Sequence, residues 1–496
     1  MRPRAAALCV VLVVLAGCSV PFSIGGEGTT GGPNGSGTNG AGDVGATATP
    51  DAPAQSLPDP ADDVLGWEGG YWYNESIPVT GADGLNASEQ SALVNRTMAR
   101  IERVRELEFD STVPVEVISR EEFQGPPNAT GGGARSPAFR TFDNAKFEAL
   151  FLIGEENNSL AVQQSNSNQN VLGYYSPRND SIVVVSDSAT PKLGRSTLAH
   201  ELVHALQDQQ FNLSQGAPPT RDGYNARNGL VEGEANYVQR RYEQRCGGQW
   251  RCLDVGGAGG SGGGGGDLHL GVYALEYFPY ADGPAFVDAV YDRRGWQGVN
   301  DLYDEIPASS EQIIHPEKYG NDTPTNLTVR DRTASGWERV RPNGRPDYAT
   351  LGQSGLSAMF GYTIYDDYNR SSVVRPDEFI NSEGRSVNRT DPFEYGLAYT
   401  DGWDGDRMAV YENDGKTGYV WKLAWDSPEE AREFVRGYRQ LLSHWGGERV
   451  LGRQDVWEIE RSSSFTDAFR ISRQGDTVTI VNAPQPSALD AVHARG

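Results

Sequence analysis

The stretch Leu198-Ala199-His200-Glu201-Leu202-Val203-His204-Ala205-Leu206-Gln207-Asp208 decides how the chain reads. It contains H-E-x-x-H. On an α-helix, positions i and i+4 lie one turn apart on one face, so His200 and His204 can grip one metal ion between them. Glu201 sits beside them, where a carboxylate can take a proton from metal-bound water. Imidazole ligands suit zinc, which lowers the pKa of its bound water to roughly 7. Ser196 or Thr197 can cap the helix by accepting a bond from a free N–H. Leu198, Leu202 and Leu206 recur every fourth position and form a stripe to bury, with the polar trio off that stripe.

Zinc at a catalytic site takes three protein ligands and keeps one position open. A third histidine from the same segment is absent: Gln207 and Gln210 stand where the motif's extension needs Gly and His. The ligand must come from farther along. The next strong helical stretch is Asn228-Gly229-Leu230-Val231-Glu232-Gly233-Glu234-Ala235-Asn236-Tyr237-Val238-Gln239, far enough beyond His204 for a loop and an antiparallel return helix.

Together these segments resemble the gluzincin metallopeptidases, zincins in which a glutamate on a second helix completes the site. Leu230-Val231-Glu232-Gly233-Glu234-Ala235 is similar to an Asn-Glu-Gly-Phe-Ala-type segment in some members, where the glutamate before glycine is the ligand. The resemblance implies a single Zn2+ held by His200, His204 and Glu232, in preference to Glu234. Gly233 would let the two helices approach closely. Asn236, one turn after Glu232, and Glu234 would support the ligands from behind. Thermolysin-like members carry Asp where Asn236 stands, so Asn is a departure. With Ser310-Glu311-Gln312-Ile313-Ile314-His315-Pro316-Glu317-Lys318-Tyr319, the chain from Val64 onward resembles a family of secreted and lipoprotein zincin-like surface proteins of bacteria and halophilic archaea. His315 and Tyr319 are candidates to stabilise the oxyanion of peptide hydrolysis. A structural histidine beside Pro316 is the plain alternative.

Two strand-like runs precede the H-E-x-x-H helix, Asn170 to Tyr175 and Ser181 to Val185, with a turn at Ser176–Asp180. Helical periodicity marks Ser88 to Leu107, and a helix is expected from about Asp143 to Glu155. Val113 to Ile118 reads as a strand. Further helices are expected at Asp282 to Tyr291 and Trp296 to Tyr303. From about Asp331 the pattern changes. Thr350 to Tyr365 reads as a helix, and two hairpin-then-helix runs follow: Met408 to Ser443, then Asp467 to Val492. The expected architecture is α+β, with a zincin-like core over 63–330 followed by an α+β domain over 331–496.

The N-terminus reads as an address. Arg2 and Arg4 precede an apolar run, Ala5 to Val14, shorter than the about 20 residues of a membrane-spanning helix. Leu15-Ala16-Gly17-Cys18 resembles a lipobox, which implies cleavage before Cys18 and a lipid on its sulfur. Simple secretion is the alternative. Residues 19–62 are rich in Gly, Thr, Pro and Ser and read as a tether. Outside the cell, Cys246 and Cys252 are expected to pair, because a metal site would need further Cys or His beside them. Asn-x-Ser/Thr sequons such as Asn74 and Asn86 agree with an extracellular surface. The glycine run at 256–266 lacks the Lys-Ser/Thr of a phosphate loop and reads as a surface loop.

The formal charge is −24, with 43 Lys+Arg against 67 Asp+Glu. That argues against nucleic acid or an anionic membrane face as a partner bound through charge. The acidic, lysine-poor composition fits solubility in very high salt, with an ordinary acidic secreted protein as the alternative. The expectation is a lipid-anchored, extracytoplasmic zinc metallopeptidase acting on a peptide or protein substrate, with Glu201 as general base. The rival is a non-proteolytic surface binding or scaffold protein on the same fold.

Overall fold

In the computed structural model the described residues are 57–495, apart from 78, 80–83, 125–134, 172, 189–193, 254–267, 335, 367, 369, 385, 389–390 and 461. The lipobox with Cys18, most of the 19–62 tether and the glycine run at 256–266 lie outside the described residues. The chain begins with β1 (Trp67–Glu68), β2 (Tyr71–Trp72), α1 (Ala87–Arg105), β3 (Val115–Ile118), α2 (Arg120–Gln124), α3 (Pro137–Ala149) and α4 (Ser159–Asn170). Then come β4 (Gly173–Ser176), β5 (Ser181–Val185), α5 (Arg195–Phe211), α6 (Arg221–Cys246), α7 (Leu270–Ala281), α8 (Gly283–Asp301) and α9 (Ser310–Ile314). The remainder is β6 (Glu338–Arg339), α10 (Gly352–Tyr362), α11 (Pro376–Phe379), β7 (Ser382–Glu383), β8 (Ser386–Val387), β9 (Trp403–Asn413), β10 (Lys416–Trp425), α12 (Pro428–His444), β11 (Gly447–Arg449), β12 (Val456–Ile459), β13 (Ala468–Gln474), β14 (Thr477–Ala483) and α13 (Leu489–Val492). The class is α+β.

The first half is helical around a small sheet of order β3-β5-β4. β5 is buried at every position, as a central strand covered on both faces must be, and its Ile and Val run supplies the apolar surface. β3 pairs with it in parallel and β4 antiparallel, so β4 is an edge. That edge faces α5. The strand expected from Asn170 begins at Gly173, because Asn170 closes α4. The polar run of α4 conceals its helix, but Asn158 caps it by accepting from the N–H groups of Leu160 and Ala161.

α5 starts at Arg195, with Gly194 in the cap position and no side-chain capping bond. Ser196 and Thr197 therefore lie inside the first turn and are not caps. The helix is buried all round from Leu198 to Gln207, so the polar trio is as enclosed as the leucine stripe. α6 runs antiparallel to it for 26 residues, its N-terminus capped by Thr220, and is buried along most of its first four turns. Gly233 does permit a close approach, but to α8 and not α5: a Cβ there would lie 2.4 Å from the Gly283 carbonyl carbon. The two helices expected between Asp282 and Tyr303 are both present as the two arms of α8, which meet at Gly295, where φ 62° and ψ −164° interrupt the helix. Cys246 and Cys252 form a disulfide, Cα atoms 5.3 Å apart, closing a short loop after α6. Trp250 in that loop packs under the guanidinium of Arg100 on α1, 5.2 Å away.

The second half centres on a seven-stranded sheet of order β11-β12-β13-β14-β10-β9-β6, antiparallel throughout. Asp414 and Gly415, φ 48° and 75°, make the tight β9–β10 turn, a conformation that favours Asp-Gly. The hairpins β9–β10 and β13–β14 join through β10 and β14 and are each followed by a helix. Ser427 caps α12, with Pro428 in its first turn. One sheet face, with Trp421, Leu423, Ile480 and Phe469, belongs to a buried cluster that extends back to Leu93 and Leu202. Phe151 from the first half enters this cluster against Phe465, Phe469 and Trp445. The other face packs on α13 through Leu489 and Val492.

Candidate metal centre

Three side-chain atoms converge where α5 crosses α6. His204 Nε2 lies 3.1 Å from His200 Nε2, and Glu232 Oε2 lies 3.3 Å from His200 Nε2 and 3.2 Å from His204 Nε2. Tetrahedral zinc with bonds of about 2.0–2.1 Å sets its ligand atoms roughly 3.3 Å apart. The three edges thus match one face of such a tetrahedron. The i, i+4 spacing on α5 supplies two corners and the antiparallel return of α6 the third.

The outer nitrogens fix the ring orientations. His204 Nδ1 faces Gln207 Oε1 at 2.8 Å, and His200 Nδ1 faces Gln239 Oε1 at 3.1 Å. The amide of Gln207 is oriented because its Nε2 donates to the Val231 carbonyl (2.9 Å) and to Glu234 Oε2 (3.0 Å). That of Gln239 is oriented by donation to Glu243 Oε1, 3.2 Å away. Both histidines therefore donate from Nδ1 and turn Nε2 inward as the ligating atom. Two imidazole lone pairs and a carboxylate oxygen aimed at one point suit a cation, and the donor set suits zinc.

His204 and Glu232 also shift each other's proton affinities. Burial opposes charge on His204, yet Glu232 prevails and raises its pKa to about 9. Burial likewise opposes charge on Glu232, but His204 and His200 pull it down to about 2. Glu201 is fully buried, and that burial raises its pKa to about 7 against the pull of both histidines. Its Oε2 accepts from the Tyr175 N–H on edge strand β4, 2.8 Å away. Its Oε1 is buried with no partner among the described residues.

Glu234 faces away from the cluster. It pairs with Arg105 of α1, both about 1% exposed, and accepts from Tyr303 Oη and Gln207 Nε2. Its link to the histidines runs through Gln207. Asn236 does not reach the ligand atoms: its Nδ2 donates to the Glu232 backbone carbonyl, 2.9 Å away, as a helix-internal bond. The roles expected for Asn236 are carried instead by Gln207 and Gln239.

His315 and Tyr319 are also engaged elsewhere. Tyr319 Oη donates to the Glu305 carbonyl at 2.6 Å, and its ring meets Phe286 edge-on. His315 closes α9, with Nε2 3.4 Å from Asp401 Oδ1 and 3.2 Å from Gln353 Nε2; Asp401 raises its pKa. Neither has a polar contact with the cluster among the described residues. Asn228, one turn before Glu232, has an Oδ1 that is buried without a partner among the described residues.

Sequence reasoning missed Gln207, Gln239, Arg105 and Tyr303. Gln207 carried one signal: it lies three residues after His204, on the same helical face. A family model described as a domain of unknown function, DUF8575, matches residues 338–493, a stretch wholly C-terminal to the metal cluster. No curated protein and no solved structure matches the chain.

Proposed function

We propose that the chain is a zinc-dependent metallopeptidase of gluzincin-like zincin fold, carried outside the cytoplasm on a lipid at Cys18. The observation that carries the reading is the set of edges, 3.1, 3.2 and 3.3 Å, among His200 Nε2, His204 Nε2 and Glu232 Oε2. A bound divalent ion would supply Lewis acidity, polarising a substrate carbonyl and acidifying water. The protein's own part rests with Glu201. Its Oε2 is pinned by Tyr175, which leaves Oε1 to take a proton from the attacking water and pass it to the leaving amine. Gln207 and Gln239 hold the imidazoles in one orientation throughout. For the anchor, the support is the Leu15-Ala16-Gly17-Cys18 sequence; no helix among the described residues is long and apolar enough to cross a membrane. The test is metal analysis and peptide hydrolysis by the purified chain, with and without a chelator. One zinc per chain and chelator-sensitive cleavage support the reading; a chain that binds no metal overturns it.

A second reading, a non-proteolytic surface scaffold in which the ion is a structural staple, draws on burial. His200 is 4% exposed, Glu232 1%, and His204 and Glu201 0%. Full metal occupancy, no cleavage of any peptide in a random library and a large fall in Tm on chelation would select it.

A further inference from the structure

A groove of about 420 Å3 opens between α12 and β13. Its lining is Arg432, Val435, Arg436 and Arg439 from the helix and Ile471 and Arg473 from the strand. Four arginines thus line one space, and no acidic residue does. This is unexpected in a chain with 67 acidic and 43 basic residues. Arg432, Arg436 and Arg439 share one face of α12, where like charges a turn apart cost a few tenths of a kcal/mol per pair.

The four arginines are poorly neutralised. Arg432 and Arg436 pair with Glu429 and Glu433, each three residues back on α12. Those arginines are 54% and 60% exposed, and exposed pairs of this kind hold weakly enough to exchange partners. Arg439 and Arg473 have no ion pair among the described residues. Arg473 Nη1 donates to the Gly475 carbonyl at 2.6 Å. Arg439 Nε is buried with no partner among the described residues. Burial and the nearby Arg449 lower the pKa of Arg439, the response of a positive charge short of a counter-ion. Val435 and Ile471, 6% and 4% exposed, make an apolar floor that strengthens charge attraction above it.

We propose that this groove is a binding site for a tetrahedral oxyanion, a phosphoryl or sulfate group, gripped by the half-buried Arg439 and by the exposed Arg473, Arg432 and Arg436. Guanidinium forks match such oxygens two at a time. The volume suits a small ligand or one unit of a longer one. The site is independent of the metal cluster and stands whether or not the chain is a peptidase.

The test is isothermal titration calorimetry of the full chain with sodium phosphate and with sodium sulfate, at constant ionic strength in chloride. Wild type is compared with Arg439→Gln/Arg473→Gln and with Arg432→Gln/Arg436→Gln. The expected result is saturable one-site binding, weakened about tenfold or more in the Arg439→Gln/Arg473→Gln variant and less in the Arg432→Gln/Arg436→Gln variant, whose arginines already share their charge with Glu429 and Glu433. Preference for phosphate assigns a phosphoryl ligand and preference for sulfate a sulfate ester. Circular dichroism confirms that each variant is folded, and the Arg432→Gln/Arg436→Gln variant, altered only at exposed positions, serves if the one that includes Arg439 is not. Non-saturable heat, or equal affinity in wild type and a folded variant, overturns the proposal.

Discussion

Gln207 stands between His204 and Glu234. Its Oε1 accepts from His204 Nδ1 at 2.8 Å, and its Nε2 donates to Glu234 Oε2 at 3.0 Å. Glu234 is in turn clamped by Arg105 and Tyr303. One metal-facing imidazole is thereby tied through an amide to a buried ion pair between α1 and α6. Gln207→Leu is expected to weaken zinc binding roughly 10–100-fold, as losses behind a ligand typically do. Gln207→Glu keeps an acceptor for His204 and is expected to retain more affinity than the leucine variant. Competition titration against a zinc chelator measures both, and equal affinity of Gln207→Leu and wild type would remove Gln207 from the site.

Glu201→Gln keeps the shape of the side chain and removes its ability to carry a proton. Zinc content should stay at one ion per chain while peptide hydrolysis falls roughly 10²–10⁴-fold. A variant cleaving at the wild-type rate would take Glu201 out of the mechanism.

Gly233 and Gly283 bring α6 and α8 together backbone to backbone. A methyl at 233 would sit 2.4 Å from Gly283 C and 2.5 Å from its oxygen, neither of which can swing aside. Gly233→Ala should cost roughly 1–3 kcal/mol in urea unfolding and, by shifting the helix that carries Glu232, lower zinc affinity as well. Unchanged stability would show that the contact is slack.

Away from the centre, Glu68 is 2% exposed, and burial together with Glu102 raises its pKa to about 9. Glu102, also buried, is raised to about 7. A carboxyl raised on folding binds its proton more tightly in the native state. Stability from this pair is therefore full below the ordinary carboxyl range and is lost as pH rises toward 9. Glu68→Gln should melt close to wild type at pH 5 and roughly 1–3 °C higher at pH 8, by calorimetry. A variant less stable than wild type at pH 8 would contradict the assignment.

What the sequence shows of this architecture depends on the range over which each signal acts. His200 and His204 are bound by helical spacing, so the repeat alone brings them to one face. Helical pattern and distance make the segment of Glu232 legible as an antiparallel return, but the choice of Glu232 over Glu234 is what the resemblance of Leu230 to Ala235 implies. Gln207 offers only its i+3 spacing from His204, and Gln239 carries no motif; its contact with His200 arises from the crossing of α5 and α6, which no local pattern encodes. His315 and Tyr319 have chemistry suited to an oxyanion, but α9 delivers them to Asp401 and the Glu305 carbonyl. α4 is hidden because Ser, Asn and Gln give little apolar periodicity, although Asn158 marks its start. In the second half, by contrast, turn chemistry at Asp414-Gly415 and the Ser427-Pro428 cap are local, and β9, β10 and α12 lie where those signals put them.

The most direct measurement is anomalous X-ray scattering at the zinc edge from crystals of the zinc-loaded chain. The account predicts one strong peak about 2.0–2.2 Å from His200 Nε2, His204 Nε2 and Glu232 Oε2. A zinc-loaded crystal with its peak elsewhere, or with no peak among those three atoms, would contradict it.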